Sequence, residues 1–154
     1  MPTTPHLKVL VVCLGNICRS PMGEAVLADI GQKRGLDIRV DSAGTAGYHV
    51  GEDPDSRTIA VCKKHNVPIT STARQVRTSD FTTFTHILAS DKNNLRDLEN
   101  IKPSNATAEL RLWGSYLDNQ SIPDPYYGGA AGFENVFQQV TRLSNAFLDT
   151  VSKK

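Results

Sequence analysis

Leu7-Lys8-Val9-Leu10-Val11-Val12-Cys13-Leu14-Gly15-Asn16-Ile17-Cys18-Arg19-Ser20-Pro21 runs from an apolar segment into a polar loop and leaves it at a proline. Residues 7–12 are short, apolar and rich in Val, which predicts a buried strand. Gly15 lets the backbone curl, and Asn16 tolerates left-handed geometry. Pro21 suits the first turn of a helix, where its missing N–H costs nothing. Met22, Val26 and Ile30 then recur at helical spacing, and Gly35 stops the helix. Strand, loop and helix in that order point successive backbone N–H groups into a concavity. The helix N-terminus adds partial positive charge there, which suits a dianion. Arg19 adds a planar fork that grips two phosphate oxygens. Cys13 stands at the entrance of the loop in the same field, which favours a thiolate aimed at phosphorus. The bland alternative makes Cys13 a strand-end hydrophobe and Arg19 a solvated helix-start residue. A nucleotide P-loop fits less well, because Arg19-Ser20 stands where Lys-Ser/Thr is needed.

Outward from this stretch, strands are expected at residues 38–42, 86–89 and 109–112. Helices are expected from Pro54 or Asp55 to about Lys64, with Ile59 and Cys62 inward, and from Ser90 or Asp91 to about Leu98. Residues 43–54 and 115–132 read as loops, on their glycines and prolines. Phe133, Phe137, Val140, Leu143 and Phe147 form one stripe of a long C-terminal helix. Alternating strands and helices predict an α/β single domain over residues 1–154. Its core is a four-stranded parallel sheet with helices on both faces, and the phosphate-binding loop follows the first strand. In such sheets the site lies beyond the carboxyl ends of the strands.

The chain has 154 residues, 39% hydrophobic and 21% charged, as in an ordinary globular domain. Its net charge of +1 gives no electrostatic case for nucleic acid or an anionic membrane. The longest apolar run near the start is too short for a membrane span or a signal-peptide core, so a cytoplasmic location is expected. Cys13, Cys18 and Cys62 are then reduced thiols without zinc spacing, and the four histidines also lack metal spacing.

A second segment carries chemistry: Ile122-Pro123-Asp124-Pro125-Tyr126-Tyr127-Gly128-Gly129. Expelling an alkoxide or phenoxide needs a general acid, and the two prolines hold Asp124 in an extended, reproducible conformation. Tyr126 and Tyr127 offer an aromatic wall. The alternative is a surface turn in which Asp124 hydrogen-bonds its own backbone. Physics alone does not bring this segment to Cys13.

Taken together, residues 12–21 and Asp124-Pro125-Tyr126-Tyr127-Gly128 resemble the low-molecular-weight protein tyrosine phosphatases of eukaryotic type. Asp41-Ser42-Ala43-Gly44-Thr45, Ala73-Arg74-Gln75 and the segment from Asp91 to Arg96 resemble them too. The resemblance implies that Cys13 becomes a phosphocysteine and that Arg19 and the loop (Leu14, Gly15, Asn16, Ile17, Cys18, Ser20) hold the phosphate. Asp124 would act as acid and then as base. Ser20 would hydrogen-bond Cys13, and Ser42 would support Asn16. Leu14, Ile17, Tyr48, His49, Tyr126 and Tyr127 would line the cleft. Relatives often carry a histidine shortly before the Ala-Arg-Gln segment, where this chain has Ser71 and Thr72. Cys18 has two readings: a small structural residue packed inward, or, as the family favours, a thiol that would protect Cys13 by forming a disulfide on oxidation. No cofactor or metal is implied.

The expected partners are phosphotyrosine proteins and inorganic phosphate or a similar oxyanion. Small aryl phosphates are further expected substrates. Tyr126 and Tyr127 resemble phosphorylation sites of eukaryotic members. A monomer is expected, with a weak dimer as the state that would mask the tyrosine pair. Two other readings compete. Arsenate reductases of similar fold relay oxidation through two further cysteines, and here only Cys62 lies beyond the loop. A non-catalytic phosphate-binding module would have lost Cys13, Arg19 or Asp124.

Overall fold

The computed structural model describes residues 7–126 and 129–152. Four strands, β1 (Leu7–Cys13), β2 (Ile38–Gly44), β3 (His86–Ala89) and β4 (Glu109–Leu112), form one parallel sheet in the order β2-β1-β3-β4. Among the described residues there are five helices: α1 (Arg19–Lys33), α2 (Ser56–Lys64), α3 (Asp80–Thr83), α4 (Lys92–Ile101) and α5 (Ala130–Val151). Side chains of β1 alternate between two cores. Leu7, Val9 and Val11 join Met22 and Val26 of α1, Cys62 of α2 and the apolar stripe of α5. Leu10 and Val12 face Phe81 of α3 and Leu98 of α4. Helices therefore cover both faces, as the strand pattern predicts.

Each fully buried Leu or Phe stabilises this arrangement by roughly 1.5–3 kcal/mol. The α5 stripe thus does most to hold that helix, and all five of its residues are buried. Gly35, at φ +73, closes α1: its N–H meets the Gln32 carbonyl while that of Leu36 meets Gly31. No helix among the described residues is long and apolar enough to cross a membrane.

Several boundaries differ from the sequence pattern. Helix α1 opens at Arg19, two residues before Pro21, so Arg19 and Ser20 are held in its first turn. In α2 the buried inward positions are Cys62, as expected, and Thr58, which reaches the Cys18 carbonyl, while Ile59 is only half-buried. No periodicity marks the short α3; its Asp80 is buried by Arg74 and by the Arg77 N–H. Trp113 opens a 3₁₀ turn, fully buried, and donates its indole N–H to the Leu143 carbonyl.

The chain leaves β1 for β2 on one side and later returns to β3 on the other. The carboxyl end of β1 is therefore the switch point of the sheet, where a crevice opens. Cys13 ends β1, opposite Gly44 of β2.

Candidate active site

Cys13 is buried, and the 13–20 loop folds back over its sulfur. The Asn16 N–H donates to Sγ at 3.3 Å, and Ser20 Oγ lies 3.0 Å from it. Asn16, at φ 59, is the left-handed residue of the loop. Gly15 has a different reason to be glycine: a Cβ there would stand 3.0 Å from the His49 ring. The Asn16 amide donates to Ser20 Oγ at 2.7 Å, which leaves the Ser20 proton for Cys13 Sγ at 3.0 Å or the Ala43 carbonyl at 3.5 Å. It also donates to Ser42 Oγ at 3.0 Å, while its Oδ1 accepts the Arg74 N–H at 2.9 Å. Gly44 closes the back of the loop, since a Cβ there would meet the Leu14 carbonyl at 2.6 Å.

Ser42 donates its own proton to Glu24 Oε1 at 2.6 Å, so the polar chain from the sulfur ends on a carboxyl group. Burial pushes the Glu24 carboxyl up to about 7, against the Ser42 hydrogen bond, with Asp41 adding to the rise and Arg74 opposing it. A carboxyl raised in the folded state holds its proton where the unfolded chain has lost it. The contribution of Glu24 to stability is then most favourable below the ordinary carboxyl range and is lost as pH rises through about 7. Relative to wild type, Glu24→Gln should gain about 3 kcal/mol of unfolding free energy between pH 4.5 and 8. Chemical denaturation of both proteins across that range measures it, and a difference independent of pH would refute it.

The Arg19 side chain is only 4% exposed. Its Nη1 donates to Asp91 Oδ2 at 2.6 Å and to the Ile122 carbonyl at 3.0 Å. The Nε–Nη2 edge carries no hydrogen bond among the described residues, and Nη2 stands 3.7 Å from Asp124 Oδ2. Burial opposes the charge, but Cys13, Asp91 and Asp124 outweigh it and hold the guanidinium above its ordinary pKa. Asp91 does two jobs, because its other oxygen caps α4 through the Asn94 N–H at 2.7 Å.

Asp124 Oδ2 lies 3.7 Å from Arg19 Nη2, while Oδ1 accepts the Tyr126 N–H at 3.0 Å. The carboxyl therefore caps its own turn and also faces the crevice. Cys13, Leu14, Gly15, Ile17, Cys18, Arg19, Tyr48, His49, Asp124 and Tyr126 line one cleft of about 120 Å³. Leu14, Tyr48 and Tyr126 are its exposed apolar lining, and Tyr48 is 74% exposed. Tyr127 lies outside the described residues. Burial, with Asp55, Cys13 and Asp124, pushes the Cys18 thiol up to about 12, so it is protonated at neutral pH. Cys62 is buried in the core, and burial raises it to about 11. Lys63 and Lys64 are exposed at the end of α2 and do not line the cleft. Among the described residues, no group of three or more His, Cys, Asp or Glu is arranged to hold a metal ion.

The family model for low molecular weight phosphotyrosine protein phosphatases matches residues 8–154. The chain belongs to that family. As a low molecular weight phosphotyrosine phosphatase it is an enzyme of the protein-tyrosine-phosphatase class. It is 43% identical over 155 residues to the family member of Schizosaccharomyces pombe, covering 97% of this chain and 99% of that one. It is 44% identical over 148 residues to the human member, covering 92% and 94%. Among solved structures, an arginine phosphatase of Drosophila superposes with a TM-score of 0.92 at 35% identity, covering 96% of this chain and 99% of that one.

Sequence reasoning did not assign Asp91 or Glu24 to this phosphatase's site. Asp91 was visible as a helix cap, which hid its second oxygen. Glu24 sits on a helix, where one acidic residue reads as solvated.

Proposed function

We propose that this phosphatase hydrolyses phosphotyrosine and small aryl phosphates through a phosphocysteine. The Cys13 thiolate attacks phosphorus; a P–S bond forms as the P–O bond to the leaving group breaks. Asp124, in its acid form, gives that oxygen a proton. The loop amides and the free edge of Arg19 hold the equatorial oxygens as charge spreads over them. Water then attacks, Asp124 takes its proton, the P–S bond breaks and phosphate leaves. The observation that carries this reading is the meeting of nucleophile, clamp and acid around one cleft of about 120 Å³.

The aryl preference rests on the apolar walls, Leu14 and Ile17, and on the rings of Tyr48 and Tyr126. The Drosophila neighbour is an arginine phosphatase, so phosphoarginine is the competing substrate. Cys18 enters only after oxidation: a Cys13 sulfenic acid formed by a peroxide condenses with the Cys18 thiol, releasing water and giving a disulfide.

The test is hydrolysis by the reduced protein, with chelator present, of p-nitrophenyl phosphate, a phosphotyrosine peptide and phosphoarginine. Turnover of the first two, competitive inhibition by inorganic phosphate and slower release from phosphoarginine are expected. Inactivity of the reduced protein would leave only an oxyanion-binding module. Faster cleavage of phosphoarginine would overturn the aryl reading.

A further inference from the structure

The Asp124 segment reaches the crevice from a long connection between β4 and α5, and something must hold it there. Pro123 and Pro125 stiffen it but do not attach it to the phosphate loop. Arg57, in the first turn of α2, makes that attachment. Its Nη2 donates to the Tyr126 carbonyl at 3.0 Å. Its guanidinium carbon stands 4.4 Å from the centre of the Phe133 ring and 5.7 Å from that of Tyr126. Such cation–ring contacts add to the hold on the segment and on the first turn of α5.

Arg57 is itself fixed. Nε donates to Asp55 Oδ1 and Nη2 to Asp55 Oδ2, each at 3.0 Å. Oδ1 also accepts the Arg57 N–H at 2.9 Å, which caps α2. The Asp55 N–H in turn donates to the Ile17 carbonyl of the phosphate loop at 2.7 Å. An unbroken path therefore joins two parts of the site: Ile17 to Asp55, Asp55 to Arg57, Arg57 to the Tyr126 carbonyl, and the Tyr126 N–H to Asp124 Oδ1.

We infer that Arg57 is a positioning residue for Asp124, setting the distance of the acid from the phosphate loop through Tyr126. The inference rests on the reading of Asp124 as general acid. A planar fork can make both attachments at once, because one edge is committed to Asp55 while Nη2 still reaches the Tyr126 carbonyl. Small displacements matter here, because a reacting group moved by about 1 Å loses on the order of 100-fold in rate.

The effect should depend on the leaving group. Phenyl phosphate needs the proton as its bond breaks; 2,4-dinitrophenyl phosphate does not. The experiment compares kcat/KM for both substrates in wild type, Arg57→Met, Arg57→Lys and Asp124→Asn, with thermal unfolding of each. For Arg57→Met, a loss of about tenfold or more is expected on phenyl phosphate, with less than about twofold on the dinitrophenyl ester. Arg57→Lys, which keeps the charge and one donor direction, should fall between. Equal losses on both substrates would mean that Arg57 only supports the phosphate loop, and would overturn the inference. No loss on either, with Asp124→Asn selective for phenyl phosphate, would overturn it alone. An unselective Asp124→Asn would overturn the assignment of the acid, and this inference with it.

Discussion

Replacing Cys13 by serine is expected to lower turnover of p-nitrophenyl phosphate by at least about 10⁴-fold, because it removes the nucleophile of the proposed covalent mechanism. The substitution changes one atom. It leaves Arg19, the α1 N-terminus and the Asn16 N–H in place, so the oxyanion cradle persists. A serine hydroxyl stays protonated under conditions where a thiolate forms, and it is a poor leaving group from phosphorus. Inorganic phosphate should therefore still bind, since the donors that hold it are intact. Calorimetric titration with phosphate beside the rate assay separates the two effects. A mutant that still turns over, or one that loses phosphate binding together with activity, would contradict the role assigned to Cys13.

The contrast between Cys13 and Asp124 shows what was legible in the sequence. Cys13 through Arg19 is one contiguous loop between an apolar strand and a helix, so local rules brought the proposed nucleophile and clamp together. Asp124 comes from a distant segment, and only the resemblance to a family linked it to Cys13. The structure does so through the Tyr126 N–H and Arg57, contacts across three elements that no periodicity records. β1 and β3 were readable as short, mostly apolar runs, whereas β2 and β4 alternate Ile, Val or Leu with charged residues. Helix α1 begins earlier than Pro21 suggests, since proline tolerates the whole first turn and marks no single position in it. Gly44 reads as part of a loop, although it ends β2. Its role is a close approach to the Leu14 carbonyl, which depends on strand register. Glu24 was silent for a related reason. Its burial follows from the Ser42 contact across to β2 and not from its own helix.

Arg19→Lys should cost about 10³-fold in kcat, within the range seen when a phosphoryl clamp or oxyanion donor is lost. Charge alone predicts a mild effect, because lysine keeps the cation. Geometry predicts a severe one. In the wild-type site Nη1 is already committed to Asp91 and to the Ile122 carbonyl, and the Nε–Nη2 edge remains for substrate. Arginine meets both demands at once because its donors lie in one rigid plane. An ammonium group has to choose. Drawn to Asp91, it leaves the equatorial oxygens without their paired donors; drawn to the phosphate, it leaves Asp91 uncompensated beside a dianion. Either way the interaction lost is the one that strengthens as those oxygens spread in the transition state, so kcat should fall far more than KM rises. Steady-state kinetics of Arg19→Lys, with thermal unfolding to show that the Asp91 contact has not cost the fold, reads both quantities. A mutant within tenfold of wild-type kcat would show that the site needs only a positive charge at Arg19, and the planar clamp would have to be abandoned.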